Sequence, residues 1–189
     1  MILPVIAYGS PVLKKKGIEI NKDYPKLDKL LENMWETMYA ALGVGLAAPQ
    51  IGLAIRLFII DADSFSDEEP SLAGFKKTFI NPQIIEESGE EWDFNEGCLS
   101  IPDIREDVSR MPKIKMRYQD ENFDFCEEVF EGLSARVIQH EYDHIEGVLF
   151  TDHLSPIRKR MLKGKLANIE KGNISVDYRM KFPLIKKGR

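Results

Sequence analysis

The residues best suited to chemistry in this sequence are two histidines four positions apart, with a glutamate directly after the first: His140-Glu141-Tyr142-Asp143-His144. Positions i and i+4 lie on one face of a helix, so both imidazoles can bind a single metal ion. The glutamate is close enough to take the proton of a water molecule at that metal. The chain has three histidines, and two of them belong to this pattern. We therefore interpret the pattern as a catalytic metal site rather than as a surface helix with incidental histidines.

The helix that positions these residues must be buried. Apolar residues follow helical spacing on the metal side and on the opposite side, which predicts a core helix over about 133–146, closed by Gly147. A buried helix does not accept two histidines without partners, because an unpaired polar group in the core is costly. The apolar residues of this pattern are Leu133, Val137, Ile138, Tyr142 and Ile145.

A catalytic metal site needs a third protein ligand and one open position. Zinc proteases of this type often take a downstream histidine, but Phe150 stands at the expected step and His153 comes three residues later. Cys98 is the better candidate, because Gly97 beside it allows close approach of the chain and a thiolate suits both zinc and ferrous iron. The other cysteine, Cys126, is expected to be a small core residue.

The remaining pattern predicts an α+β fold, since strands group before the buried helix without regular βαβ alternation. An irregular arm (1–24) and an exposed excursion (61–77) accompany the predicted elements. The predicted helices are 25–42, 133–146 and 156–170, and the predicted strands are 55–60, 78–86, 113–119, 123–131 and 174–180. At 189 residues, the chain fits one domain, 1–189, ending in the last helix and a tail over 156–189.

Composition is that of a globular protein, with 43% hydrophobic and 30% charged residues. The net charge of −5 argues against general nucleic-acid binding, so no specific DNA binding is expected. No apolar run reaches the length of a membrane span, and the N-terminus lacks a signal-peptide pattern. Two cysteines are too few for a disulfide framework, which predicts a reducing cytoplasm.

Three segments of the sequence resemble the signature motifs of the peptide deformylases. They are Gly43-Val44-Gly45-Leu46-Ala47-Ala48-Pro49-Gln50, Glu96-Gly97-Cys98-Leu99-Ser100 and the histidine segment Gln139–His144, in the order of that family. The resemblance implies a cytoplasmic, metal-dependent hydrolase that removes the N-formyl group from the N-terminal formylmethionine of new polypeptides and releases formate. It also implies mixed or antiparallel sheets around a central metal-binding helix, with one helix before it and one after.

The resemblance assigns roles to matching positions. The implied metal ligands are Cys98, His140 and His144. The implied catalytic groups are Glu141 as the proton carrier, and the Gln50 side chain and Leu99 backbone N–H as donors to the oxyanion. The expected ion is ferrous iron, and zinc, nickel or cobalt can occupy the same ligands in a purified sample.

The substrate is an N-formyl-Met nascent peptide, expected to lie extended along the backbone near Val44 and Gly45. The predicted pocket for the methionine side chain uses Val44, Leu133 and Val137, with Phe94 as a further candidate, and Gly97 and Arg105 are predicted to support the substrate or the cysteine loop. Arg136 either pairs with an acid such as Glu96 or points to solvent. Asp143 and Gln139 either hold the outer nitrogens of the metal-bound histidines or have a structural role.

Two other functions fit the histidine pattern. A zinc endopeptidase would cleave internal peptide bonds without needing Cys98, and a structural metal domain would need a fourth protein ligand.

Two peripheral features each allow more than one interpretation: the 61–77 excursion and a basic cluster on the last helix, formed by Arg158, Lys159, Arg160, Lys163 and Lys165. The basic cluster on the last helix is either a solvated face or a contact with ribosomal RNA. The 61–77 excursion is interpreted as an idle insertion, with a lid or a partner contact as alternatives.

Overall fold

The arrangement of strands and helices is described by a computed structural model that covers residues 1–184. The three α-helices are α1 (Leu27–Ala40), α2 (Gly132–Glu146) and α3 (Pro156–Glu170). The nine strands are β1 (Val5–Ile6), β2 (Gly45–Ala47), β3 (Leu57–Asp61), β4 (Lys76–Ser88), β5 (Trp92–Cys98), β6 (Ile101–Arg110), β7 (Lys113–Gln119), β8 (Phe125–Glu131) and β9 (Met180–Lys181). The α+β prediction is confirmed, with antiparallel sheets and helices at both ends of the chain.

The main sheet has five antiparallel strands in the order β2-β3-β4-β7-β8. Helix α1 covers one face and α2 covers the other. Strand β3 is buried on both faces, which explains its apolar sequence. Leu57 and Ile59 pack toward α1, whereas Phe58 and Ile60 pack toward α2. Residues of a strand alternate between faces, so a strand buried on both sides needs apolar residues at every position.

A second pair of strands, β5 and β6, forms an antiparallel hairpin that ends at Cys98 and Ile101. This hairpin lies beside α2 and carries the cysteine to the histidines. Helix α3 packs against β6 and the N-terminal arm through Leu162, Leu166 and Ile169. Thus α2, the helix with the histidine pattern, lies between the main sheet and the hairpin.

One prediction about the C-terminal part of the chain needs correction. The strand predicted for 174–180 is reduced to the two residues of β9, which pair in parallel with β1. Alternate residues of 174–178 are half-buried without joining a ladder, so the alternation in the sequence reflects packing alone. Residues 185–189 of the predicted tail lie outside the described residues.

The 61–77 excursion is only partly exposed, contrary to the expectation. It contains two single 3₁₀ turns, at Asp63–Phe65 and Pro70–Leu72, and it buries Ala62 and Leu72 completely in the core between the sheet and α2. Within residues 1–184, the helices are all too short or too polar to cross a bilayer.

Candidate metal centre

Three side chains from two elements converge at the end of the β5–β6 hairpin. Cys98 is the last residue of β5, and His140 and His144 lie one turn apart on α2. Their ligand atoms all lie within 4.8 Å of one another, and Cys98 Sγ is 3.2 Å from His144 Nε2. A tetrahedral site with ordinary metal–sulfur and metal–nitrogen bonds separates its ligand atoms by about 3.5 Å. One sulfur and two imidazole nitrogens at this spacing therefore fit a divalent transition-metal ion and leave one coordination position for another group.

The thiol of Cys98 is prepared for metal binding by the histidines. Burial acts to raise the pKa of this thiol, but the neighbouring imidazoles of His144 and His140 outweigh it and lower the pKa to about 5. The thiolate is the form that binds metals. Cys98 is therefore ionised at neutral pH.

A buried carboxylate fixes the orientation of the His140 ring. Glu96, which is only 4% exposed, lies 2.9 Å from His140 Nδ1 and also accepts hydrogen bonds from Arg110 at 2.7 and 3.0 Å and from Arg136 at 3.0 Å. Burial opposes the ionisation of Glu96, but the contacts with His140 and Arg110 keep its pKa well below the usual range. An ionised carboxylate only accepts hydrogen bonds, so Nδ1 carries the proton and Nε2 is left for the metal.

Glu141 lies beside the ligands without belonging to them. The metal-ligand group formed by the described residues consists of the cysteine and the two histidines. Glu141 is buried, its Oε2 has no hydrogen-bond partner among the described residues, and burial raises the pKa of its carboxyl to about 7. On its other side it packs against β2, where a Cβ on Gly45 would lie 2.5 Å from Glu141 Oε1. A carboxyl group in this setting can exchange a proton near neutral pH.

Gln50 directs its side-chain amide nitrogen toward the metal-ligand group, at Cys98. It lies in the 3₁₀ turn Ala48–Ile51 that follows β2, and only 1% of it is exposed. Its Oε1 accepts the backbone N–H of Ala47 at 2.8 Å, which turns Nε2 toward Cys98 Sγ, 3.5 Å away. The amide donor is thus fixed by the backbone before any substrate arrives.

Leu99 lies in the tight connection between β5 and β6, directly after Cys98. Its carbonyl accepts a hydrogen bond of 2.7 Å from the Tyr178 hydroxyl, which belongs to the C-terminal segment. This contact holds the peptide unit between Leu99 and Ser100, next to the unit that carries the Leu99 N–H.

A cleft of about 540 Å³ opens beside the three ligands. The predicted substrate residues that line it are Val44, Gly45, Gly97, Arg105 and Val137. Phe94 lines it as well. Leu133 instead packs into the core cluster at the start of α2, outside the cleft wall formed by the described residues. Strand β2 is the terminal strand of its sheet, so its outer backbone edge, beside the cleft, has no strand partner among the described residues.

Of the two roles predicted for Asp143 and Gln139, their contacts fit the structural one. Asp143 lies 2.8 Å from Arg110 Nη1 and 2.7 Å from His153 Nε2. Gln139 donates to the backbone carbonyl of Met111 at 2.9 Å. Both side chains join α2 to the end of β6.

The residue that actually holds His140 is Glu96, which sequence reasoning considered only as a partner for Arg136. A signal for this role was present, because Glu96 and Cys98 are two residues apart in one strand and therefore share a face. Arg136 points inward to Glu96 and stacks on the Trp92 ring, with 4.6 Å between the guanidinium carbon and the ring centroid.

Comparisons with known proteins agree with this geometry. The family model described as polypeptide deformylase matches residues 2–160. The chain is 62% identical over 196 residues to a peptide deformylase of Christiangramia forsetii, and the match covers 100% of both chains.

Solved structures are similar as well. The peptide deformylase of Thermotoga maritima is 40% identical with a TM-score of 0.74, covering 82% of this chain and 99% of that one. The peptide deformylase of Legionella pneumophila is 35% identical with a TM-score of 0.79, covering 92% and 98%.

Proposed function

This chain belongs to the peptide deformylase family, whose members remove the N-formyl group from nascent peptides, and from that premise we propose which of its residues perform the reaction. The chain is a metal-dependent hydrolase that acts on a linear amide. The proposal assigns Cys98, His140 and His144 as metal ligands. A divalent ion held by them would supply Lewis-acid activation of water and of the formyl oxygen.

Glu141 is the proton carrier in this proposal. Its carboxylate, outside the ligand group, takes the proton of the attacking water and later returns it to the leaving amine. The nitrogen needs that proton, because an amide anion is a poor leaving group. The support is the position of Glu141 next to the ligands with one oxygen unpartnered.

Gln50 and Leu99 stabilise the negative charge that develops on the formyl oxygen. The Gln50 amide is held by the Ala47 backbone, and the Tyr178 hydroxyl holds the Leu99 carbonyl, which lies in the peptide unit next to the one that carries the Leu99 N–H. Donors that need no reorganisation during the reaction are the effective ones.

The substrate peptide is proposed to lie along the open edge of β2, near Val44 and Gly45. Backbone hydrogen bonds along such an edge accept any sequence, so selectivity must come from side-chain pockets. The pocket for the methionine side chain is proposed between Val44 and Val137. Gly97 and Arg105 form the opposite side of the cleft, where a Cβ on Gly97 would lie 2.8 Å from Arg105 Nη1.

The observation that carries these assignments is the group formed by Cys98, His140 and His144 beside an unpartnered Glu141. The test measures formate released from formyl-Met-Ala-Ser under anaerobic conditions. Glu141→Gln should retain the metal and lose about 10²–10⁴-fold in kcat. If this variant loses the metal as well as the activity, a role for Glu141 outside the ligand set is contradicted.

The cysteines provide a matched pair for the ligand assignment. Cys98→Ser should lose metal during dialysis against a chelator, whereas Cys126→Ser should keep it, because Cys126 lies in β8 and packs against the core cluster. Equal metal retention in both variants would contradict the sulfur ligand. An endopeptidase would need no such ligand, and formate release without internal cleavage separates the two activities.

We propose ferrous iron as the physiological ion. A thiolate with two imidazoles suits iron as well as zinc, so the ligand set alone does not select between them. The apoprotein should be reconstituted anaerobically with iron, zinc, nickel or cobalt, and kcat/KM compared before and after exposure to air. The iron form should have high activity that exposure to air abolishes. An inactive iron form would exclude iron as the physiological ion.

We also propose that α3 contacts the ribosome. Its exposed face carries Arg160, Lys163 and Lys165 together with the exposed apolar residues Ile157 and Met161. Positive charge of this kind binds the phosphate backbone of RNA in a salt-dependent way. Reversal of these three charges should reduce co-sedimentation of the protein with ribosomes, measured at several salt concentrations. Unchanged co-sedimentation would contradict the proposed contact.

Finally, we propose that residues 1–189 act as one catalytic domain in the cytoplasm. Both cysteines are free thiols, which suits a reducing compartment, and the nascent chains that form the substrate are made there. Fractionation of cells that express a tagged chain tests the compartment.

A further inference from the structure

The excursion between β3 and β4 reaches the substrate cleft. Phe65, at the end of its first 3₁₀ turn, lines the same cavity as Val44 and Val137. All three residues belong to or pack against the apolar cluster between the main sheet and α2. The aromatic ring is therefore part of the wall on the side where the proposed function places the methionine side chain.

Core contacts fix the position of this wall. Ala62 is fully buried before Phe65, and Leu72, which is 2% exposed, is buried after it. Phe75 then packs edge-on against Phe130, with 6.1 Å between ring centroids. A segment buried at both of its ends holds Phe65 in place instead of allowing it to move freely with solvent-exposed residues.

A charged contact ties the same segment to the metal-binding helix. Glu69 Oε2 accepts the backbone N–H of Leu133 at 3.0 Å, in the first turn of α2. Glu69 Oε1 accepts a hydrogen bond of 3.1 Å from the Ser71 hydroxyl. Helix N-termini leave backbone N–H groups without internal partners and favour negative charge, so this contact stabilises both the helix end and the excursion.

We propose that Phe65 is a specificity-determining residue that closes the pocket for the first side chain of the substrate. This inference rests on the proposed position of the methionine side chain between Val44 and Val137. An aromatic wall leaves room for a long, unbranched side chain such as methionine and excludes a bulky aromatic one. The excursion is then a part of the substrate site and not an idle insertion.

The test compares kcat/KM for formyl-Met-Ala-Ser and formyl-Phe-Ala-Ser. Phe65→Ala removes the wall, so the preference for methionine over phenylalanine should fall about 10-fold. Phe65→Leu keeps an apolar side chain of intermediate size and should shift the ratio in the same direction by a smaller factor. If the alanine variant does not fold, the leucine variant decides.

Phe75→Leu is the matched control. Phe75 comes from the same excursion and packs on the same apolar cluster, but it lies outside the cleft wall formed by the described residues. This variant should lower the unfolding temperature and leave the substrate ratio at the wild-type value.

Two results would count against the inference, and a third would count against the proposed function. An unchanged ratio in the Phe65 variants, or an equal shift in Phe75→Leu, overturns it while the wild type still releases formate. A wild type that releases no formate from formyl-Met-Ala-Ser overturns instead the proposed function on which it rests.

Discussion

Two buried glutamates near the metal ligands have opposite environments, and the difference sets their roles. Glu96 is bonded to two arginines and a histidine, which hold it in the ionised form. Glu141 has an oxygen with no partner among the described residues and a raised pKa. The first can only orient and neutralise its neighbours, whereas the second can exchange a proton.

The position of Glu141 depends on the absence of a side chain at Gly45. Gly45→Ala would place a Cβ 2.5 Å from Glu141 Oε1, so the carboxylate must move. We expect kcat to fall at least about 10-fold, because small displacements of a catalytic group are costly, while metal content stays the same.

Gly164→Ala serves as the control for this substitution. A Cβ at Gly164 meets no atom within 4 Å, and this residue lies inside α3. Activity should be unchanged, and stability should rise by about 0.5–1 kcal/mol. Normal kcat in Gly45→Ala would show that Glu141 tolerates displacement.

Removal of the Glu96 charge should affect both stability and metal binding. Glu96→Gln leaves the buried Arg136 without its carboxylate partner and Arg110 with Asp143 alone, which costs about 3–5 kcal/mol. It also replaces the charged acceptor of His140 Nδ1 by a neutral amide, so metal affinity should fall about 10–100-fold, as measured by competition with a chelator.

Glu106→Gln is the comparison for Glu96→Gln. Glu106 is also buried, at 7% exposed, but it pairs with Arg158 of α3 away from the ligands. This variant should lose stability with unchanged metal affinity. Equal metal affinity in both variants would contradict the role of Glu96 in orienting His140.

At the scale of elements, α2 begins without a capping side chain of its own. Its N-cap residue, Glu131, makes no side-chain cap bond, and Gly132 has a positive φ of 59°. Glu69 of the excursion accepts the Leu133 N–H in its place. Glu69→Ala should therefore reduce the free energy of unfolding by about 1 kcal/mol.

The neighbouring Glu68 is exposed and gives a matched control for this substitution. Glu68→Ala should leave stability within about 0.5 kcal/mol of the wild type in urea unfolding. Equal losses in the two variants would show that the helix does not depend on the cap.

The β8 strand carries a carboxylate whose charge stabilises the sheet. Burial acts to raise the pKa of Glu128, but hydrogen bonds from Tyr118 and Lys77 outweigh it and leave the pKa below its usual value. Because the folded-state pKa is the lower one, this stabilisation is present above about pH 4.5, the unfolded value, and is lost as the pH falls below it.

Glu128→Gln should make the free energy of unfolding less dependent on pH between about pH 5 and pH 3. Urea unfolding across this range measures the effect. A pH dependence identical to that of the wild type would exclude Glu128 as a contributor.

The predicted secondary-structure elements agree with the structure where the apolar periodicity of the sequence is uninterrupted. The last helix has the predicted bounds, because Ser155 caps it through the Arg158 N–H and Pro156 begins it. The hairpin of β5 and β6 was missed, although it holds Cys98. Its buried face includes Glu106 and Arg110, and charged residues at inward positions disguise the alternation that marks a strand.

The candidate site was predictable in part for a similar reason. His140, Glu141 and His144 are local in sequence, so their spacing indicates their geometry. The contact between Glu96 and His140 joins residues 44 positions apart, and no local pattern specifies it. The role of Phe65 likewise depends on the tertiary path of an irregular segment.

At the scale of the whole molecule, the C-terminal segment reaches back to the active-site turn. Tyr178 donates to the Leu99 carbonyl, and two residues later the chain enters β9 beside β1. Tyr178→Phe removes one hydrogen bond and should cost about 1 kcal/mol of stability. Because this bond holds the carbonyl of Leu99, whose own N–H is a proposed donor to the oxyanion, kcat should also fall several-fold.

Tyr24→Phe, at the opposite cluster beside α1, is the control for a tyrosine remote from this turn. It should leave kcat unchanged. A normal kcat in Tyr178→Phe as well would limit the role of Tyr178 to stability.

The parallel pair of β1 and β9 also constrains the order in which the protein matures during its own synthesis. Val5 and Ile6 leave the ribosome first, but their partners, Met180 and Lys181, are made about 175 residues later. Synthesis proceeds at about 5–20 residues per second, so the N-terminal strand waits on the order of ten seconds or longer for its partner. An enzyme that processes the N-termini of other chains thus cannot pair its own N-terminal strand, β1, until its C-terminal strand, β9, has been made.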